Sequence, residues 1–157
     1  MKKSLKTLLM SMTVFALLVS QAYAGKKETP ASIKGVTTVD ADTVKGWLDN
    51  GEEMVVLDPR KSGDYNQKGH LPTAISCPLD TDAELSDKVI SKAAKDLANC
   101  DELKGVGKGD KIVAYCNGTT CWMSPKAVTA LVKMGYTNVY WFREGMKVWN
   151  EKGYPVE

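Results

Sequence analysis

The sequence predicts an α/β domain, a mostly parallel β-sheet covered by helices on both faces. Three observations lead there. Short β-branched or wholly apolar runs recur along the chain, helix-length stretches with 3.6-residue periodicity separate them, and Gly, Asn and Pro punctuate the joins. Two of the runs, Met54-Val55-Val56-Leu57 and Ile112-Val113-Ala114-Tyr115, lack polar alternation, as strands buried on both faces require.

Taken in order, Val36–Val39 is a short β-branched strand. Asp40 or Asp42 caps a helix that carries Val44, Trp47 and Leu48 on one face and stops near Asn50-Gly51. Met54–Leu57 is the second strand. A Gly- and Pro-containing loop leads to a third, Ala74–Cys77. Ser86 caps a helix with Val89, Ile90, Ala93, Ala94 and Leu97 at helical spacing, and Gly105–Gly109 is a loop. Lys111–Tyr115 is the fourth strand. Ser124 as N-cap with Pro125 at the first helical position opens the next helix, which Gly135 closes. Asn138–Phe142 is the fifth strand, and a helix through Trp149 comes after it. Trp47, Trp141 and Trp149 are read as core.

The first 24 residues read as a secretion signal rather than as part of the fold. Lys2, Lys3 and Lys6 form a positive start, Leu8–Val19 is apolar apart from Ser11 and Thr13, and Ala22-Tyr23-Ala24 offers small residues for cleavage after Ala24. The run is shorter than the roughly 20 apolar residues of a membrane span. An exported protein is expected, periplasmic if the source is a diderm bacterium, with no membrane attachment after cleavage. Residues 25–34 are polar and expected to be a flexible lead-in to a domain over 35–157. Cleavage takes three lysines and no acid from 21 basic and 19 acidic side chains, so the formal charge moves from +2 to −1. A near-neutral chain with no basic stripe is not a nucleic-acid binder. With 43% hydrophobic and 25% charged residues it is not disordered. Its single His, His70, argues against a His-rich metal site. No cofactor and no metal are expected. Export also places Cys77, Cys100, Cys116 and Cys121 where disulfides persist.

In a parallel sheet, ligands bind beyond the carboxyl ends of the strands. Tyr115-Cys116-Asn117-Gly118-Thr119-Thr120-Cys121-Trp122 occupies such a position, between a strand and a helix start. Loop N–H groups and the helix dipole there favour an anion, so Cys116 is expected to be a reactive thiolate rather than an inert buried thiol.

Leu57-Asp58-Pro59-Arg60, Asp64-Tyr65 and Gly69-His70-Leu71-Pro72-Thr73-Ala74 resemble the first signature of the rhodanese-like (thiosulfate sulfurtransferase) domain. Tyr115-Cys116 with its loop, Gly135–Tyr140, Glu144–Trp149 and Gly153-Tyr154-Pro155-Val156 resemble the rest, in family order over Val36–Val156. The resemblance implies a small domain with a central parallel five-stranded sheet. It implies transfer of a sulfane sulfur from an anionic donor, thiosulfate or a polysulfide, to a thiol or cyanide-like acceptor through a persulfide on Cys116.

The common family loop reads Cys, four residues, Arg; here the Arg position holds Cys121, and the first cation after Cys116 is Lys126. Anion binding therefore falls to loop N–H groups over Asn117 and Gly118, to Thr119 and Thr120, and to Lys126, a set less suited to an oxyanion than a bidentate guanidinium. Cys121 is either a resolving thiol that attacks a Cys116 persulfide or a packing residue beneath the loop. Trp122 either lines the pocket mouth or shields the loop. Asp58, Arg60 and His70 are read as structural support, Asp58 and Arg60 as an ion pair and His70 as a turn hydrogen bond. Cys77 and Cys100 are either bridged or separately buried. Two other functions stand beside sulfur transfer: a thiol-disulfide protein using Cys116 and Cys121, with an exported redox partner, and a catalytically silent binding module.

Overall fold

The computed structural model describes residues 26–80 and 85–157; the expected signal over residues 1–24 lies outside them. Each strand but the third runs directly into a helix. The pairs are β1 (Thr37–Val39) and α1 (Ala41–Asp49), β2 (Val55–Asp58) and α2 (Ser62–Lys68), β4 (Ile112–Tyr115) and α4 (Met123–Lys133), and β5 (Val139–Phe142) and α5 (Gly145–Glu151). After β3 (Ile75–Ser76) come α3 (Asp87–Ala98) and a short 3-10 turn at Asp101–Leu103. All five strands are parallel, in the order β1-β5-β4-β2-β3.

Alternation along the strands divides the core between the two faces. Leu57, Ile112, Ala114, Val139 and Trp141 pack under α3 and α4 with Ile90, Ala93, Leu97, Val128 and Leu131. Their neighbours Val56, Val113, Tyr115 and Phe142 point the other way, against Ala41 and Val44 of α1 and Met146 and Trp149 of α5. Trp141 and Trp149 are fully buried, as read from the sequence. Trp47 is half-buried, with its ring 5.0 Å edge-on from Tyr140. From β2 the chain steps outward to β3, then crosses back to lay β4 on the other side of β2. That reversal opens a crevice at the carboxyl ends of β2 and β4, where Asp58 and Cys116 emerge.

Several local expectations are corrected. The segment between β2 and β3 is not wholly loop: α2 occupies Ser62–Lys68 with no buried residue, so it carries no apolar periodicity to betray it. Ser124 is not the cap of α4. The helix begins at Met123 behind Trp122, and the Ser124 hydroxyl accepts a hydrogen bond from Trp141 Nε1 (2.9 Å). Pro125 is tolerated there because N–H groups of a first helical turn have no partner to lose. Asp40, not Asp42, caps α1 by accepting from Thr43 N–H (2.8 Å), whereas Ser86 stands at the N-cap of α3 without a side-chain bond. Cys77 and Cys100 are bridged, with Cα atoms 5.7 Å apart.

Candidate active site

Cys116 comes directly after the last residue of β4 and is fully buried. It is joined to Cys121 by a disulfide, with Cα atoms 6.1 Å apart. The loop between them turns where Cys121 N–H donates to the Gly118 carbonyl (2.9 Å).

Three groups of contacts hold this loop. The first comes from α5, whose opening N–H groups have no helical acceptors. Met146 N–H donates to the Cys116 carbonyl (2.8 Å) and Lys147 N–H to the Asn117 carbonyl (3.1 Å). Gly145 starts that helix at φ +56, and a Cβ there would be driven into the Cys116 backbone.

The second is a buried polar cluster at the end of β2. Arg60 binds both oxygens of Asp58 through Nε and Nη2, and its Nη1 donates to Asn117 Oδ1 (3.2 Å). Nη2 also donates to the Gly69 carbonyl (2.8 Å). Tyr115 O–H donates to Asp58 Oδ2 (2.5 Å) and accepts from Leu71 N–H (3.1 Å). Every polar group in the cluster is thus partnered, which an ion pair this deep requires. Burial acts to lower the Arg60 pKa, but the hydrogen bonds and charge of Asp58 outweigh it and hold the group above its usual value. Burial, reinforced by the Asp58 charge, raises the Tyr115 pKa and keeps the phenol protonated. Asn117 Nδ2 reaches Asp64 (3.4 Å), whose pKa is lowered chiefly by Lys68 and then by Asn117.

The third comes from the segment expected to be a flexible lead-in. Thr29 donates both its N–H and its hydroxyl to the Thr119 carbonyl (2.8 Å each). Arg143, just past β5, fixes Thr29 and Pro30 by donating to their carbonyls (2.8 and 3.0 Å). Trp122 Nε1 then donates to the Lys27 carbonyl (3.2 Å), and the Lys27 ammonium stands 5.7 Å from the centre of the Trp122 ring. Between segment and loop lies a cavity of about 420 Å³ lined by Lys26, Lys27, Asn117, Thr120, Cys121, Trp122 and Met123. Trp122 is therefore at the pocket mouth and also bonded to the segment across it.

Of the sequence candidates, Asn117, Thr120, Cys121 and Trp122 line the cavity, whereas Cys116, Gly118, Thr119, Asp58, Arg60, His70 and Lys126 do not. His70 lies in its turn, ring stacked on Tyr65 at 3.9 Å, with Nδ1 3.1 Å from the Leu71 carbonyl. Lys126 is buried in α4, and its ammonium donates to the Asp80 carbonyl. Lys26, Lys27, Thr29 and Arg143 are site residues that the sequence does not mark, and Tyr115 and Gly145 stand in its signatures without their roles being legible there. Thr29 and Arg143 act across 90 and 114 residues of chain, a separation at which no local pattern survives. Among the described residues, the group whose atoms lie close enough to hold a metal is Cys77, Cys100 and Glu102, and its two sulfurs are bonded to each other.

The fold has known relatives. The protein BH2092 of Bacillus halodurans is 26% identical with a TM-score of 0.59, over 77% of this chain and 76% of that one. A thiosulfate sulfurtransferase of Pseudomonas aeruginosa shares the fold at 22% identity and a TM-score of 0.55, over 78% of this chain and 20% of that one. The HTH-type transcriptional regulator Rv0324 of Mycobacterium tuberculosis is 34% identical over 106 residues, 67% of this chain, which spans 38% of the regulator's length. The family model for the rhodanese-like domain matches residues 40–152, from α1 through α5 and including Asp58, Arg60, Cys116 and Cys121. That match covers most of the chain and agrees with its five-stranded parallel sheet, and the chain belongs to the rhodanese-like domain family.

Proposed function

We propose that the protein is an exported sulfurtransferase that carries a sulfane sulfur on Cys116 from thiosulfate or a polysulfide to a thiol or cyanide-like acceptor. Membership of a family of sulfurtransferases supports the reaction class. The observation that carries it to a residue is Cys116 itself, at the end of β4, with its carbonyl held by α5 and the adjacent Asn117 held by Arg60. With the disulfide reduced, the Cys116 thiolate attacks the outer sulfur of thiosulfate. The sulfur–sulfur bond breaks, sulfite leaves with the electron pair, and Cys116 becomes a persulfide. A nucleophile then takes the outer sulfur and restores the thiolate.

The Cys116–Cys121 bond favours a second reading, a thiol-disulfide protein. In that chemistry Cys121 thiolate attacks the Cys116 sulfur of the persulfide and expels hydrosulfide, closing the disulfide.

Intact mass spectrometry of the reduced protein, before and after thiosulfate or polysulfide and then cyanide, separates the readings. One sulfur gained, lost to cyanide and absent from Cys116→Ser, is the expected result. Loss of two hydrogens with no sulfur gained moves the disulfide reading to first place. A reduced Cys116 that neither takes up sulfur nor shows pH-dependent alkylation leaves the binding-module alternative.

A further inference from the structure

The two sulfurs of the Cys116–Cys121 bond are not equivalent. Cys116 is fully buried, its carbonyl held by α5, whereas Cys121 is only half-buried and forms part of the wall of the 420 Å³ cavity. Thiol-disulfide exchange proceeds by attack of a thiolate on one sulfur, in line with the bond that breaks, and access decides which sulfur is struck. An incoming thiolate in the cavity meets Cys121.

The cavity is also large enough to take more than a bare oxyanion. Its volume is within the roughly 300–1,000 Å³ range of ligand pockets. One wall is the Trp122 ring with Met123, and Lys26 and Lys27 carry two cations to the rim. The lysines are held there by the backbone: Thr29 is fastened to Thr119, Arg143 to Thr29 and Pro30, and Trp122 to the Lys27 carbonyl. The loop from Asn117 to Met123 contains no Lys or Arg, so this segment supplies the positive charge nearest Cys121 along the cavity wall.

We propose that the cavity admits an anionic low-molecular-weight thiol, which opens the Cys116–Cys121 bond by attacking the Cys121 sulfur and releases Cys116 as the thiolate. The thiolate sulfur bonds to Cys121 as the internal bond breaks, and the electron pair leaves on Cys116. A second thiol molecule then attacks the mixed disulfide at the small molecule's sulfur. It departs as the oxidised dimer and leaves Cys121 as a thiol. Overall two thiols are oxidised to one disulfide and the protein disulfide is reduced to two thiols, with the protons passing from the reagent to the protein. Sulfur transfer by Cys116 is a later and separate reaction of the opened protein, so the two readings fail independently.

The probe is glutathione, an anionic tripeptide thiol, compared with neutral 2-mercaptoethanol. No sulfur donor is present, so a failed sulfurtransferase reading does not affect the outcome. Opening of the wild-type disulfide is monitored by alkylation and mass spectrometry at matched thiolate concentration. Lys26→Ala/Lys27→Ala changes two exposed side chains and is expected to slow opening by glutathione roughly fivefold, with the difference lost at high salt. Its rate with 2-mercaptoethanol should be unchanged. Equal slowing with both reagents, or none with glutathione, overturns the anion site. The regiochemistry is read separately with oxidised glutathione. Cys116→Ser, which keeps the Cys121 thiol, should form the mixed disulfide at least about ten times faster than Cys121→Ser, because Cys121 lies in the cavity wall and a reagent the size of oxidised glutathione does not reach Cys116 behind it. A Cys121→Ser protein that reacts as fast as Cys116→Ser sinks the assignment of the attacked sulfur.

Discussion

Tyr115 shows how a single side chain couples the parts of the site. Its hydroxyl donates to Asp58 and accepts from Leu71 N–H, joining β4, β2 and the His70 turn in one bond pair. Tyr115→Phe leaves the Leu71 N–H and one Asp58 oxygen short of a buried partner. A loss of about 1–3 kcal/mol at neutral pH is expected in urea unfolding. The pH dependence has a definite sign. The folded phenol has a raised pKa, through burial and then the Asp58 charge, so its contribution is complete below the unfolded value of about 10. It is lost as pH rises above that value toward the folded one. The stability difference between wild type and Tyr115→Phe should therefore shrink above pH 10. A difference that is flat from neutral pH to pH 11 contradicts this account. In the sequence Tyr115 is legible as the end of a strand and the start of the cysteine run; its polar role comes from an acceptor and a donor that the fold brings from residues 58 and 71.

At the scale of elements, the junction of α5 with the cysteine loop is the critical contact. The first N–H groups of a helix have no internal acceptors, and α5 gives two of them to the carbonyls of Cys116 and Asn117. That approach is possible because residue 145 is glycine at φ +56. Gly145→Ala adds left-handed strain of roughly 1–2 kcal/mol and also forces the Cys116 backbone aside. We expect a total loss of more than about 2 kcal/mol and a faster opening of the Cys116–Cys121 bond, because uncovering Cys116 adds attack at its sulfur to the route through Cys121. Calorimetry reads the first effect, and alkylation under reductant reads the second; a stable variant with an unaltered opening rate shows that α5 does not seat the loop. The Glu144-Gly145 pair is visible in the sequence as part of a family signature, but the reason for the glycine is not. By contrast α2, whose residues are all solvated or half-buried, offers no periodic signal at all.

Across the whole molecule, the two disulfides do different work. Cys77–Cys100 ties the segment after the two-residue edge strand β3 to the end of α3 and closes 23 residues, whereas Cys116–Cys121 closes five. Chain entropy assigns about 3 kcal/mol to the longer closure and about 2 to the shorter. Cys77→Ala/Cys100→Ala should therefore lower stability more than Cys116→Ala/Cys121→Ala in denaturant unfolding under oxidising conditions. The reverse order would mean that packing against Leu57, Leu79 and Leu97 already secures β3.

Periodicities of two and 3.6 residues and local turn chemistry are written along the chain, and they suffice for the α/β class, the five strands and the position of Cys116 at a strand end. The family signature is equally linear. Folding was needed to bring Cys77 to Cys100 and Cys116 to Cys121. It was needed as well to place Lys126 at the Asp80 carbonyl and to lay Lys26, Lys27 and Thr29 across the loop. Those contacts join residues far apart in the chain or depend on which way a side chain turns within a buried turn. Neither is fixed by neighbours along the sequence; both are settled once the strand order β1-β5-β4-β2-β3 sets which ends lie side by side.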